Sequence, residues 1–223
     1  MAKPPPPAAS TPEPAVTIPN DILSHTPLLQ YEAARAVVQT GDIILCSGRY
    51  AMSRLIRFAT HSPWSHVAIV VRLESIGRVM VCESVEKIGV RTIPLHTFLF
   101  GVGGKKPYAG QVLLARHAQL NAVGDTAMRA MTDFALDQLG DPFAAGDIVK
   151  IATRILWGAT EQVTPAALEA QHEYICSEYA ALCFEKAGVT IPWDGRGFIA
   201  PCDFALDPAT SAIGQIDIGA GRA

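Results

Sequence analysis

In Glu173-Tyr174-Ile175-Cys176-Ser177-Glu178, followed by the apolar-patterned Tyr179 to Phe184, one cysteine sits where a polar lead-in becomes a helical repeat. A thiol in the first turn of a helix meets unpaired backbone N–H groups and the positive end of the helix dipole, and both favour its anion. Thiols so placed beside a histidine can have pKa values lowered from about 8.5 to about 3.5–7.5. Cys176 is therefore a candidate nucleophile that needs a base. The competing reading is packing, since cysteine is ordinarily a small buried hydrophobe. Cys46, Cys82 and Cys183, which fall inside apolar patterns, are read that way.

Among the histidines, His25 lies in the N-terminal leader, and His117 and His172 fall at element ends where solvent would satisfy them. His66 opens the strand HVAIVV and shares a face with Ala68 and Val70, an environment that holds an imidazole rigidly. A base needs an orienting partner. Glu83 is the one carboxylate inside the apolar strand VMVCESV, and buried carboxylates are rare unless partnered. If the two strands form a hairpin with an even number of loop residues, His66 and Glu83 point to one face as direct or diagonal neighbours. An odd loop would set them on opposite faces. Glu178 and Glu86 are weaker orienting candidates, the first as helix-surface charge and the second as facing away from Glu83.

Tyr174, two residues before the cysteine, is a candidate hydroxyl for a developing oxyanion. Ser177 and Trp64 complete the candidate oxyanion and substrate contacts. Trp64, Phe98-Leu99-Phe100 and the stretch Ile148 to Trp157 with Lys150 and Arg154 could line an apolar, partly basic mouth, although core packing explains the same residues.

The elements that must position these groups follow from periodicity. Tyr31 to Val38 reads as a short helix, Asp42 to Cys46 as a buried strand and Ser53 to Thr60 as an amphipathic helix. His66 to Leu73 and Arg78 to Val85 read as a hairpin through Gly77. Val90 to Ile93 and Gln111 to Arg116 are further strand candidates. Asn121 to Leu139, a second segment carrying Ile148, Ile151, Ala152 and Ile155, and Ser177 to Ala187 read as helices, the last capped by Gly188. Strands framed by helices without regular alternation favour an α+β fold.

The composition, 49% hydrophobic and 17% charged over 223 residues, allows one sizeable core. The domain reading is a proline-rich disordered leader over 1–27, one domain over 28–208 and a C-terminal tail over 209–223. A net charge of −3 argues against nucleic acid as a partner. No apolar run reaches the roughly 18 residues that would span a bilayer. The N-terminus has seven prolines in its first nineteen residues and no apolar signal core, so the cytoplasm is the default compartment, with signal-independent export left open. Five scattered cysteines without Cys-x-x-Cys spacing suit neither a disulfide framework nor a zinc site.

Gly41-Asp42-Ile43-Ile44-Leu45, Ser65-His66-Val67-Ala68-Ile69-Val70, Glu83, Gly89-Val90 with Pro94-Leu95 and Phe98, Tyr174-Ile175-Cys176-Ser177-Glu178 and Pro201-Cys202-Asp203-Phe204 together resemble the permuted papain-like branch of the NlpC/P60 superfamily, the YiiX/YaeF-like cysteine peptidases and amidases. The likeness spans roughly residues 40–206, with the histidine strand before the cysteine helix, as the permutation requires. It implies a small antiparallel sheet packed against the cysteine-bearing helix. It also implies Cys176 as nucleophile, His66 as base, Glu83 as third member, and no metal or organic cofactor. The substrate it implies is an amide or peptide bond, including peptidoglycan-type peptides. Permuted relatives directed at lipid acyl esters supply an alternative, and a non-catalytic binding module of the same fold is the alternative of another class.

Overall fold

A computed structural model describes residues 17–142, 175–193 and 199–219. Its centre is a seven-stranded sheet. The strands are β1 (Leu28–Leu29), β2 (Ile43–Gly48), β3 (His66–Leu73), β4 (Arg78–Val85), β5 (Gly89–Pro94), β6 (Gly110–His117) and β7 (Thr210–Ile216), in the order β1-β7-β6-β2-β3-β4-β5. Every pairing is antiparallel except that of β1 with β7. The helices are α1 (Ile22–His25), α2 (Tyr31–Val37), α3 (Ala51–Ala59), α4 (Leu95–Phe100), α5 (Ala118–Asn121), α6 (Asp125–Asp137), α7 (Cys176–Lys186) and α8 (Pro201–Leu206). The fold is α+β.

Both faces of the sheet are covered, which is why β2 and β3 read as nearly unbroken apolar runs. On one face Ile43, Leu45, Val67, Ile69, Cys82 and Leu113 meet α6 and α7 through Met131, Ala135, Tyr179, Ala180, Cys183 and Phe184. On the other, Ile44, Cys46, Ala68, Val70, Val81 and Leu114 meet α2 and α4 through Ala34, Leu95, Leu99 and Phe100. Each large side chain so buried contributes about 1.5–3 kcal/mol relative to exposure. Gly188, at φ 78, ends α7 in the left-handed conformation, with Val189 N–H donating to Phe184 O.

Several expectations are corrected. Residues 210–216 form β7 rather than part of a C-terminal tail, because Thr210, Gln215 and Ile216 are buried against β6 and β1. Within the presumed leader, Ile18 is buried and residues 22–25 form α1. The helix expected over 121–139 is α6, which begins at Asp125 after Gly124 and ends at Asp137, with Asn121 closing the separate α5. The helix expected around Ile148 to Ile155 lies outside the described residues. No described helix is long and apolar enough to cross a membrane.

Candidate active site

Cys176 is the first residue of α7, and the body of that helix packs on the sheet face opposite the one carrying His66 and Glu83. The thiol therefore reaches His66 only because both lie at element ends, α7 and β3 each beginning at the same rim of the sheet. Two contacts fix that start. The Ile175 side chain packs against Met52, Leu55, Ile56 and Ala59 along α3, while its N–H donates to the Glu178 carboxylate at 3.4 Å.

The β3–β4 register sets Ile69 opposite Cys82 and Val70 opposite Val81. Continued toward the start of β3, it sets Ala68 opposite Glu83 and places His66 diagonally beside Glu83 on one face. The connection is residues 74–77, an even loop turned by Gly77 at φ 59. His66 Nε2 lies 2.7 Å from Glu83 Oε2. The other carboxylate oxygen is taken by Arg91, opposite Glu83 on β5: Oε1 accepts from Nε at 2.8 Å and stands 2.6 Å from a terminal guanidinium nitrogen. Glu83 is 2% exposed and thus fully committed between imidazole and guanidinium.

Burial by itself favours neutral forms of both His66 and Glu83. For His66 the charge and hydrogen bond of Cys176, together with Glu83, outweigh that penalty and push its pKa up to about 10. For Glu83, His66 and Arg91 outweigh burial and hold the carboxyl below its ordinary range. With Nε2 committed to Glu83, Nδ1 is the ring nitrogen left for the thiol. Cys46, which pairs with His66 across β2 and β3, behaves oppositely: burial and the nearby Glu83 charge drive its thiol well above the usual range, so it stays protonated.

Phe98 on α4 stacks on the His66 ring at 6.4 Å and 20°, and Tyr108 stacks on Phe98 at 5.8 Å and 18°. Ser65 Oγ accepts from Gly48 N–H at 2.9 Å and lies 3.2 Å from Cys46 O, tying the end of β2 to the start of β3. Cys176, His66, Glu83 and Arg91 open on a cleft of about 590 Å³ whose apolar walls include Met52, Ile56, Ile93 and Phe98. A thiol at a helix start, an oriented imidazole and a cleft for an acyl group together suit acyl transfer.

Ser177 and Trp64 lie away from the cleft. The Ser177 hydroxyl is buried and donates to Ile199 O at 2.6 Å, a structural bond away from the cleft. Trp64 is fully buried in the α7-side core, because the strand starts only at His66 and its alternation does not extend back to residue 64. Tyr174, His172, Lys150 and Arg154 lie outside the described residues. Leu99 and Phe100 are core, and of that trio only Phe98 faces the cleft. His117, expected to be solvated, is buried, with Nε2 2.9 Å from Asp207 Oδ2 and Nδ1 accepting from Leu120 N–H. Arg91 was missed altogether. The signal for it was the need of a buried carboxylate for a cation on the neighbouring strand, which requires the β4–β5 register.

The model of the permuted papain-like amidase family, YaeF/YiiX, C92, matches residues 37–153, just over half of the 223-residue chain. The matched span holds His66, Glu83 and Arg91, and Cys176 lies beyond it. Among solved structures, the crystal structure of yiiX from Escherichia coli O157:H7, described as a metalloprotein, is 22% identical, with a TM-score of 0.48 over 70% of this chain and 69% of that one. No curated protein matches the chain in sequence. Among the described residues, no group of three or more His, Cys, Asp or Glu side chains is arranged to hold a metal ion. The extent of the family match decides the membership: this chain belongs to the permuted papain-like amidases of the YaeF/YiiX, C92 family.

Proposed function

We propose that the chain is a cysteine hydrolase that cleaves an amide bond through an acyl-enzyme, with Cys176 as nucleophile, His66 as acid and base, and Glu83 as the group orienting His66. The observation that carries this reading is the imidazole held between the Cys176 thiol and the Glu83 carboxylate at the floor of an open cleft. The thiolate attacks the carbonyl carbon while backbone N–H groups at the start of α7 hold the oxyanion, a role shared by the hydroxyl assigned to Tyr174. The imidazolium gives its proton to the leaving nitrogen, and the C–N bond breaks. His66, now neutral, takes a proton from water, which attacks the thioester and restores the thiolate. Glu83 stays ionised throughout and keeps the ring aimed.

The apolar cleft walls favour a second reading, in which the carbonyl belongs to a lipid acyl ester. Incubation with peptidoglycan fragments and, in parallel, with phospholipid vesicles, read by mass spectrometry, separates the two. Released stem-peptide pieces support the amidase, and lysolipid or fatty acid supports the ester reading. Cys176→Ala should abolish labelling by a thiol-directed acyl probe while the circular dichroism spectrum is unchanged. Undiminished labelling would remove Cys176 from the mechanism.

A further inference from the structure

The two segments that frame the cleft mouth share an unusual surface. Residues 49–61 carry Arg49, Arg54 and Arg57, and residues 101–109 carry Lys105 and Lys106, with no Asp or Glu in either segment of a chain whose net charge is −3. Within the same segments Phe58 is 77% exposed, Tyr50 51% and Val102 83%. Single exposed apolar side chains are ordinary. What is not ordinary is their interleaving with cations along two segments that each supply walls of one cleft, Tyr50, Val102 and Lys106 lining it directly.

Geometry joins the two segments into one surface. Tyr50, Met52 and Ile56 on one side and Val102, Lys106 and Tyr108 on the other line the same cleft. The Tyr50 and Tyr108 rings meet edge to face at 6.4 Å. Helix α3 spends its inner face, Met52, Leu55, Ile56 and Ala59, on Ile175, which leaves Arg54 and Phe58 exposed. Two carboxylates line the cleft: Glu83, paired with His66 and Arg91, and Glu86 on the wall supplied by β4 and its turn.

We propose that this mouth docks on a membrane surface carrying anionic lipid, placing the Cys176 cleft at the lipid interface. Phe58 and Val102 would enter the boundary between headgroups and acyl chains, while the four exposed cations, Arg49, Arg54, Lys105 and Lys106, meet the anionic headgroups. Arg57 reaches inward to Gly48 O at 3.2 Å. An acidic protein or a nucleic acid would satisfy the cations but leave Phe58 and Val102 without a role, which favours lipid. The docking rests on the proposed catalytic reading only for what the cleft does once there.

The test is cosedimentation of the full chain with phosphatidylcholine vesicles, with and without phosphatidylglycerol. Binding is expected only with phosphatidylglycerol, and it should fall as added salt shortens the screening length from about 10 Å at 0.1 M to about 3 Å at 1 M. The double variant Phe58→Asp, Val102→Asp should bind roughly tenfold less, since it removes the inserted side chains and adds like charge. Both side chains face solvent, so its fold should persist by circular dichroism. Cys176→Ala should bind as well as the wild type, so docking and chemistry fail separately. The proposal is overturned by absence of binding, by equal binding to pure phosphatidylcholine, or by undiminished binding of the double variant. Retention on heparin without vesicle binding also overturns it, in favour of an anionic macromolecule.

Discussion

With Glu83 engaging Nε2 and Cys176 on its other side, the His66 imidazole is held charged across neutral pH, its pKa pushed up to about 10. Because the folded value lies above the ordinary 6.5, its contribution to stability is fully present below about 6.5 and is lost as pH rises through about 10. Replacing Cys176 by alanine removes the largest of the raising influences. In an NMR titration of the His66 ring protons the pKa of Cys176→Ala should fall well below that of the wild type, and an unchanged value would mean the thiol does not face the ring. Glu83 has the opposite sign: its contribution is present above its ordinary range and lost as pH falls through its lowered folded value. Arg91 acts through Glu83. Arg91→Met should raise the Glu83 pKa, move the acid limb of the pH–rate profile upward and lower kcat more than KM. Its stability cost should stay below the about 3–5 kcal/mol of a broken, fully buried pair, because the Arg91 side chain is 34% exposed. A profile shifted only in height would reduce Arg91 to a structural role.

Among the elements, the β3–β4 hairpin was readable from sequence because Gly77 closes an even loop between two apolar strands. The parity argument made the shared face of His66 and Glu83 conditional on an even loop, and the register meets that condition. Strand β7 was not readable: TSAIGQI has weak alternation, and it is defined by neighbours distant in sequence, including Leu29, whose side chain closes on Gly214. The junction of α3 with α7 is likewise invisible in a linear pattern, since Ile175 looks like any apolar residue before a helix. Ile175→Ala should cost about 2–4 kcal/mol if the site relaxes little. It should also speed alkylation of Cys176 by more than the loss of global stability accounts for, because it frees the start of α7 from α3. Alkylation that merely follows global unfolding would show that this contact does not position the thiol.

Across the whole molecule, the sheet separates the chemistry from a second buried histidine–carboxylate pair. Asp207 Oδ2 meets His117 Nε2 while its Oδ1 accepts from Ala209 N–H, pinning the segment after α8 to the end of β6. Asp207→Ala should destabilise by about 1–3 kcal/mol by leaving the His117 N–H unpaired. That lowers Tm by about 2–4 °C per kcal/mol in a chain of this size, and activity per folded molecule should be unchanged. Asp207→Asn, which keeps an acceptor, should recover most of the loss. The sequence by itself nominated Cys176, His66 and Glu83 and stated the loop parity under which the last two share a face, because helix starts and strand parity are local properties. Only the tertiary structure decided that Cys176 meets His66 around the rim of the sheet, that Arg91 holds Glu83, that Trp64 is core and that His117 is buried. The Arg91 pairing rests on the β4–β5 register and the others on contacts between segments farther apart in the chain, none of which local periodicity encodes.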